Sequence, residues 1–560
     1  MNRGITKSRW VLLLTLGAVL LIVMHILTRN LSGSGLVLLF NVIVLAVFVP
    51  GLFISLYFVS SEAEIYVNKT TKLLFFLVLI MSLPLIWADS LQGPLISVLA
   101  LWMGLLFFIL LQQNNDDLFK ERLVQFIVIS ALIECLFGLF QLVYFFDSGI
   151  LEYGNVSRPL GVFQQPNVLG SYIATGIMAS GWLVAYGRLR LSIVLYQMMA
   201  IIGPLLLLMI LSRAALIGLS IGLILFLLAP AATLNIRKLK QWLFFLVVGF
   251  VLGFIYITIQ SGNDGLPRSI ESITQVGGRG PMYSHVLWMI AEKPIAGWGY
   301  GNFEYSYLHT LADRTLAGDR VADVLREVGH PHNELLLWGV EGGLLVLLPM
   351  IFVLGYLCVL LFKYCGRNSL LVFSLLAPLA VHSMLEFPFY HSISHFIVFV
   401  MLIWLCFGAV GEGRYIKIVY SGAVSLLSLV FSFLAFIFFV TAFQSSVKLR
   451  DFNADPVSNR QALLDVYNPF ALGSDLDVAI KKAILNTAFE QGDHELMTTV
   501  LTDSMEVLDK TPSRVLYSLV LVGLVFNEET SRAEERLEYG KALYPGLPPF
   551  TENATLDDFR

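Results

Sequence analysis

The segment RVADVLREVGHPHNELLLWGVEGGL, residues 320–344, joins a polar stretch to a long apolar run. His330, His332, Asn333 and Glu334 stand within five residues of one another, where a predicted loop meets a predicted membrane helix. Polar side chains at such a depth are costly unless they are satisfied or used. Two interpretations are open on this segment alone. It is either a helix start, with Asn333 or His332 at the N-cap and Glu334 in the first turn, or a functional site.

The composition of the whole chain indicates a polytopic membrane protein. Of the 560 residues, 57% are hydrophobic and only 14% are charged, whereas a soluble domain carries about a quarter charged residues. Several apolar runs reach the ~20 residues that cross a bilayer as a helix. The first run lacks a small-residue cleavage site and many runs follow, which favours a retained helix over a signal peptide. We expect a protein of the lipid bilayer with no nucleic-acid partner.

The apolar runs predict an all-α fold with about 13 transmembrane helices. They lie near residues 10–28, 36–59, 73–90, 95–112, 122–146, 168–187, 191–211, 213–231, 241–260, 334–362, 369–387, 394–410 and 416–443. Basic pairs, such as Lys69 with Lys72 and Arg188 with Arg190, follow every second run. The positive-inside rule therefore predicts a cytoplasmic N-terminus, and the odd number of spans puts the C-terminus outside.

This topology predicts four parts of the chain. They are membrane helices one to nine in 1–260, a long external loop in 261–333, helices ten to thirteen in 334–443 and an external helical domain in 444–560. Within the last part, apolar residues recur at helical spacing in LDVAIKKAILNTAF, HELMTTVLTDSMEVL, SRVLYSLVLVGLVF and RAEERLEYGKAL. Stacked hairpins of the tetratricopeptide type and a plain helical cap on the membrane domain are both open interpretations.

Three arginines stand at predicted external positions. Arg158 precedes a membrane helix together with Gln165 and Asn167, Arg213 lies at a turn between two apolar runs, and Arg279 is flanked by glycines. Arg158 and Arg213 each have a plain alternative, namely a helix start and a snorkelling side chain. A guanidinium makes bidentate contacts with phosphate and stays charged, so the three together suggest a lipid-linked anion such as a polyprenyl pyrophosphate.

Other polar groups in the sequence are candidates for a metal, cofactor or catalytic site. Histidines two residues apart cannot share one helical face, and no third ligand with convincing spacing follows them, so we predict no metal and no cofactor at residues 330–334. His382 and Glu386 stand four apart in the eleventh predicted span, as either a functional pair or a polar brace between helices. The motif GWGYGN at 297–302 predicts a tight turn, because no strand precedes it as a dinucleotide site requires. The four cysteines show no metal spacing, which favours packing.

The order of these motifs resembles the O-antigen ligase and polymerase superfamily, and within it the bacterial O-oligosaccharyltransferases of the PglL type. The matching segments are RPLGVFQQPNVLGSYIATG, LSRAALIGL, GGRGPMYSHVLWMIAEKPIAGWGYGNF, HPHNELLLWGVEGGLLVL and HSMLEFPFYHSISHF. The resemblance implies transfer of a preassembled glycan from undecaprenyl pyrophosphate to Ser or Thr of a periplasmic protein, such as a type IV pilin-like protein. It also implies an inverting, metal-independent enzyme of the bacterial inner membrane.

The same resemblance assigns roles to residues. It implies that His332, supported by His330 and Glu334, activates the acceptor or contacts the pyrophosphate. The implied substrate-binding residues are Arg279, Arg213, Arg158, Gln165, Asn167 and Asn333, with His382 and Glu386 supporting them. A ligase that uses lipid A core, a polymerase of O-antigen, a transporter or flippase, and a structural scaffold are the alternatives. The soluble C-terminal part favours a protein acceptor over lipid A core.

Overall fold

The fold is helical almost throughout, as predicted. The computed structural model describes residues 3–28, 33–88, 91–148, 158–230, 235–261, 279–319 and 324–560. Within these ranges the one sheet is a ribbon in which β1 (Glu64–Asn68) pairs antiparallel with β2 (Gly413–Lys417). The predicted loop residues 149–157 and 262–278, and Arg320, lie outside the described residues.

The helices follow one another in the order predicted from the apolar runs. In the first half of the chain they are α1 (Arg3–Leu21), α2 (Leu39–Ser60), α3 (Lys69–Ser82), α4 (Gln92–Gln112), α5 (Asp117–Ser148), α6 (Pro166–Tyr186), α7 (Arg190–Ile210), α8 (Arg213–Leu228), α9 (Ile236–Ser261), α10 (Arg279–Glu292) and α11 (Phe303–Leu316). In the second half they are α12 (Glu334–Cys365), α13 (Ser369–Ser383), α14 (Pro388–His391), α15 (Ile393–Phe407), α16 (Ser421–Ala454), α17 (Pro469–Leu472), α18 (Ser474–Gln491), α19 (His494–Leu508), α20 (Arg514–Phe526) and α21 (Thr530–Leu543).

The described ranges contain ten helical segments that are long and apolar enough to cross a membrane. One of them, Glu334–Ser383, is 50 residues long and comprises both α12 and α13. The helices α8 and α15 are apolar but shorter than the others. The chain is therefore a multi-pass membrane protein. The number of thirteen spans and the side on which each loop lies stay predictions.

The described chain divides into two compact units. The first comprises residues 1–79, 100–275 and 350–440. Burial is most complete along α6. In its most apolar stretch of 18 residues 89% is buried, compared with 17% in that of α16. Small residues let other helices approach α6 closely, and a Cβ added to Gly176 would lie 2.4 Å from the Cβ of Ala131. Close packing of small residues is a typical way for membrane helices to associate.

The second unit comprises residues 80–99, 276–349 and 441–560. The four predicted helices of the C-terminal part are present as α18 to α21, and their apolar faces form one buried cluster. The break between α18 and α19 uses Gly492 at φ +66° and Asp493, whose side chain accepts the Leu496 N–H at 2.9 Å. Leu308 and Ala312 of α11 belong to the same cluster. The predicted external loop therefore contributes a helix to this helical unit, which the sequence did not indicate.

The long helix α12 is broken near its start. Gly343 has φ +63° and ψ −165°, so the residues on either side of it form separate helical pieces. The amides freed by the break donate to the preceding loop: Leu344 N–H to the Pro294 carbonyl at 2.7 Å and Leu345 N–H to the Ile295 carbonyl at 3.2 Å. A broken helix in a membrane protein must satisfy its main chain in this way. The break thus fixes residues 294–301 beside the start of α12.

Candidate functional site

The histidine-rich segment forms a tight turn at the start of α12. His332 is in the left-handed region, with φ +53°. Its N–H donates to Nδ1 of His330 at 2.9 Å. In the neutral ring the proton of His330 is therefore on Nε2, which lies 3.8 Å from Oε1 of Glu334. Asn333 caps the helix, because its Oδ1 accepts the Leu336 N–H at 3.0 Å. The predicted capping role of Asn333 is confirmed.

A second helix contacts this turn. Tyr283 of α10 donates its hydroxyl to the carbonyl of His332 at 3.3 Å. Arg279 begins the same helix, one turn before Tyr283. The helix buries one face, which carries Met282, His285, Val286 and Met289. The structure thus connects the helix that carries Arg279 to the histidine turn. Tyr283 was not among the predicted site residues, and only its position one turn after Arg279 could have pointed to it.

The glycine-rich loop after α10 is tied to the same helix start. Gly297 has φ +69°, and a Cβ added there would lie 2.4 Å from the Val340 carbonyl oxygen. Oε1 of Glu341 accepts the N–H of Gly301 at 3.1 Å and that of Phe303 at 3.3 Å. The predicted tight turn is therefore present, and Glu341 holds it. Sequence reasoning missed Glu341, although a carboxylate inside an apolar run is a signal of function or bracing.

His285 links α10 to α11 and does not resemble a general base. Nη1 of Arg314 lies 3.1 Å from its Nδ1, and the hydroxyl of Thr310 lies 3.0 Å from its Nε2. Burial, and then the charge of Arg314, lower the pKa of His285 to about 4. The ring is therefore neutral at pH 7, accepts from Arg314 and donates to Thr310. It serves to align the two helices of the polar segment.

In the first unit, Arg158 lies beside the turn that carries Arg213. Nε of Arg158 donates to the Ile210 carbonyl at 2.6 Å, at the end of α7. Leu211 follows in the left-handed region at φ +53°, and Ser212 caps α8 by accepting the Ala215 N–H at 3.4 Å. Arg213 is the first residue of α8. Two of the three predicted anion-binding arginines are thus on neighbouring segments of one unit.

The amides after Arg158 have defined partners. Oε1 of Gln165 accepts the Val168 N–H at 2.9 Å and caps α6. Nδ2 of Asn167 donates to Oε1 of Glu386 at 3.4 Å. The predicted eleventh span extended to residue 387, but α13 ends at Ser383, so Glu386 and His382 do not lie on one continuous helix. The chain turns after His382, whose carbonyl accepts the Glu386 N–H at 2.8 Å.

A buried contact between a carboxylate and an imidazole braces this loop, and sequence reasoning missed it. Oε1 of Glu134 lies 2.7 Å from Nδ1 of His25, and Oε2 of Glu134 accepts the Val162 N–H at 3.1 Å. The Glu134 side chain is fully buried. Gln141 accepts two further main-chain N–H groups of the loop, at residues 160 and 161. Ionisable residues inside predicted spans were the available signal.

Backbone strain is concentrated around the predicted site residues. Six described non-glycine residues have φ in the left-handed region, which is uncommon for such residues. Four of them are close to a predicted site residue: Gln164 precedes Gln165, Leu211 is two before Arg213, Glu327 is three before His330, and the fourth is His332 itself. Conformations of this kind cluster at functional sites, which motivates a functional hypothesis for these turns.

The predicted site residues divide between the two units. Arg158, Gln165, Asn167, Arg213, His382 and Glu386 belong to the first, and Arg279, His330, His332, Asn333 and Glu334 to the second. In the part of the chain that the structure describes, no group of three or more His, Cys, Asp and Glu residues suits a metal ion. The polar atoms available for chemistry are thus guanidinium, imidazole, amide and carboxylate groups.

Known families match three ranges of this sequence. Residues 159–184 match the family described as protein glycosylation ligase, residues 197–351 match O-antigen ligase, and residues 370–556 match the C-terminal part of a virulence-factor membrane-bound polymerase. In these ranges the chain is similar to protein glycosylation ligases and O-antigen ligases. The histidine turn, Arg213 and Arg279 all lie in the range of the O-antigen ligase match.

One curated relative of this chain is the ComP-specific O-oligosaccharyltransferase of Acinetobacter baylyi (strain ATCC 33305 / BD413 / ADP1). The two sequences are 22% identical over 288 residues, which is 50% of this chain and 50% of the relative. The chain thus spans about half the length of the curated relative that it matches. The protein glycosylation ligase match includes Gln165 and Asn167 and begins one residue after Arg158. The polymerase match includes His382, Glu386 and most of the C-terminal helices.

Proposed function

We propose that this protein is an O-oligosaccharyltransferase that moves a preassembled glycan from undecaprenyl pyrophosphate to Ser or Thr of a periplasmic, pilin-like protein. The observation that carries the proposal is the strained His330–Glu334 turn, which stands at a membrane-helix start inside the ligase-matched range. The match to protein glycosylation ligases at 159–184 and the named specificity of the Acinetobacter relative support a protein acceptor.

In the proposed reaction the acceptor oxygen attacks the anomeric carbon of the glycan from the side opposite the pyrophosphate. The new bond joins that oxygen to the carbon, and the bond from the carbon to the phosphate oxygen breaks. The electron pair leaves with undecaprenyl pyrophosphate, and the configuration at the anomeric carbon inverts. The hydroxyl proton passes to His332, or to an oxygen of the departing pyrophosphate when His332 contacts that group instead.

The neighbours of His332 serve to hold it. Nδ1 of His330 is occupied by the N–H of His332, so this nitrogen is not available as a base. His330 instead fixes the left-handed conformation of His332. Glu334 faces the other ring nitrogen of His330. Asn333 stabilises the helix start, and Tyr283 holds the His332 carbonyl. This arrangement restricts the main chain on both sides of the proposed catalytic residue.

The arginines supply positive charge for the leaving group. Arg279 and Arg213 are proposed to bind the pyrophosphate, with Arg158 beside the turn that carries Arg213. Preorganised cations lower the barrier because they meet charge that develops in the transition state. They take the role that a divalent ion has in many phosphate sites, so the proposed reaction is independent of metal. Asn167 and the pair His382 and Glu386 are proposed to support the glycan side of the site, and Gln165 supports it by holding the start of α6.

The proposed site faces the periplasm. The basic pairs of the predicted short loops favour a cytoplasmic N-terminus in the bacterial inner membrane. On that topology the histidine turn, the arginines and helices α18 to α21 are all exposed to the compartment in which secreted acceptors are found.

Co-expression tests the proposal against a ligase for lipid A core, which the O-antigen ligase match at 197–351 favours as the second candidate. A host lacking its own ligase receives this chain, a pathway for a lipid-linked glycan and a candidate pilin-like acceptor. Mass spectrometry of the acceptor is expected to find the intact glycan on a Ser or Thr. Glycan on lipid A core and none on protein would favour the second candidate, and transfer to neither would refute both.

A further inference from the structure

A cavity of about 190 Å³ lies within the second unit, where α11, the segment before the histidine turn and the start of α20 meet. Leu308, Pro512 and Val515 make part of its lining apolar. An engineered cavity of roughly 150 Å³ takes up a benzene molecule. The space therefore suits one long side chain and is too small for a whole sugar chain.

Glu304 lines the cavity, and the part of the chain that the structure describes gives it no cationic partner. Among the described residues no side chain or main-chain group donates a hydrogen bond to its carboxylate, and no ion pair involves it. Burial raises the pKa of Glu304 to about 7, and the charges of Asp475 and Glu327 add to the effect. A carboxylate that is partly buried beside two other carboxylates would be stabilised by a cation from outside the chain.

The other charges around the cavity are already matched. Nε of Arg514 donates to Oε1 of Glu327 at 3.0 Å, and this guanidinium also donates to the Pro548 carbonyl. Asp475 has Lys482 close enough to lower its pKa, against the larger effect of burial. Tyr544 completes the lining, and burial raises its pKa above the ordinary value. Glu304 is therefore the group in this cavity with a charge left to satisfy.

The cavity lies next to the proposed catalytic turn. A Cβ added to Gly329 would be 3.6 Å from Oε2 of Glu304, and Gly329 immediately precedes His330. The segment that leads to the turn is also held by α11, because the Tyr307 hydroxyl donates to the Leu325 carbonyl at 2.8 Å. A polypeptide with one side chain in the cavity would therefore have its backbone beside the histidine turn.

We propose that this cavity binds a lysine or arginine side chain of the acceptor polypeptide, with the cation at Glu304 and the alkyl stem against Leu308 and Val515. The inference rests on the proposed function and adds the chemistry of its acceptor. Long cationic side chains bury their methylenes against apolar surface and keep the charged end on a polar partner. The apolar lining with one unsatisfied carboxylate matches both ends of such a side chain.

Peptide binding to the full-length protein in nanodiscs tests this proposal without any glycan donor. The probes are fluorescent serine peptides that carry one lysine at successive positions, each paired with a norleucine peptide of the same length. At one position the lysine peptide is expected to bind about tenfold more tightly. Glu304→Gln is expected to abolish the difference, Glu304→Asp to retain part of it, and Glu495→Gln, an exposed change on α19, to leave it intact.

The pH dependence gives a second readout with a definite sign. Because the pKa of Glu304 is near 7, its carboxylate gains charge as the pH rises from about 6 to about 8. The lysine preference of the wild type should grow over that interval, while Glu304→Gln should show no such growth. A preference that persists in Glu304→Gln, or none at any position, would overturn the proposal. A lysine preference in a protein that transfers glycan to no acceptor would refute the proposed function and leave the cation site standing.

Discussion

Two helices of this protein begin with an amide side chain as the N-cap, but the chain segments that precede them differ. Gln165 caps α6 in the first unit and Asn333 caps α12 in the second, and each accepts a main-chain N–H, at 2.9 and 3.0 Å. Before Gln165, the loop is tied to buried side chains of other helices, above all to Glu134. Before Asn333, the chain carries two histidines in a strained turn.

The loop before Gln165 is held in place by side chains, whereas the turn before Asn333 carries the proposed catalytic residue. In the first unit, carboxylate, amide and guanidinium groups bond to main-chain atoms, an arrangement that fixes the position of a loop. In the second unit, His330 and Tyr283 hold the main-chain N–H and carbonyl of His332, whose imidazole is the proposed reacting group. We therefore expect changes around α6 to reduce stability, and changes at the start of α12 to reduce glycan transfer.

The largest expected effect on stability is at Glu134. Glu134→Ala leaves His25 and the Val162 N–H without their buried partner. Breaking a buried pair in this way costs roughly 3–5 kcal/mol. Thermal unfolding of the detergent-solubilised protein should show this loss, and Glu134→Gln, which retains an acceptor oxygen, should lose less. Equal stability of Glu134→Ala and wild type would show that Glu134 does not stabilise the loop before α6.

Gly297→Ala is the next largest change. A Cβ at this position would meet the Val340 carbonyl at 2.4 Å, and φ is +69°. The clash and the strain together should cost roughly 2–3 kcal/mol of unfolding free energy. Gly318→Ala is the matched control, because φ there is +87° but nothing lies within 4 Å. It should lose only about 1 kcal/mol. Equal losses in the two variants would mean that the contact with α12 contributes nothing.

Arginine replacements separate charge recognition from bracing. Arg279→Lys keeps the charge and loses the planar fork, so transfer should fall about tenfold, close to 1.4 kcal/mol in the barrier. Arg158→Lys, the matched change in the first unit, removes the bond from Nε to the Ile210 carbonyl and should lower the unfolding temperature. Steady-state transfer and thermal unfolding measured on both variants test this division. Full transfer by Arg279→Lys would show that bidentate contact is not needed there.

The smallest effects belong to the two caps and compare the regions directly. Asn333→Ala and Gln165→Ala each remove a side-chain acceptor from a helix start, which costs about 1 kcal/mol. The losses of stability should be similar, but only Asn333→Ala should reduce transfer more than its loss of folded protein explains. The measurement is transfer per folded molecule for both variants. The same residual activity in both would contradict the assignment of α12 as the reactive helix start.

The sequence predicted the helices well because each one has a long apolar run or a clear period. The four C-terminal helices and the turn at Gly297 followed from spacing and turn residues. The end of α13 at Ser383 was missed, since the apolar pattern continues beyond the point where the chain turns. The break at Gly343 was missed because its cause is the hydrogen bonding of Pro294 and Ile295 to the residues after it.

The candidate site was predicted in its residue types and only partly in its contacts. Asn333 was expected as a cap from its position alone, and the structure confirms this. The partners Tyr283, Glu341 and Glu134 were missed, because their roles depend on contacts between residues far apart in the chain. The ionisable pair within the apolar runs, His25 and Glu134, could have been found by asking which charges a membrane would penalise.

The central claim is that the side chain of His332 takes part in glycan transfer, and one measurement tests it most directly. His332→Asn suits the test because asparagine tolerates the left-handed φ of +53°, so the turn should remain intact. Transfer of lipid-linked glycan to the acceptor, measured per folded molecule, should fall by at least 100-fold relative to wild type, within the range for loss of a positioned acid or base. Transfer by His332→Asn at the wild-type rate would contradict the claim.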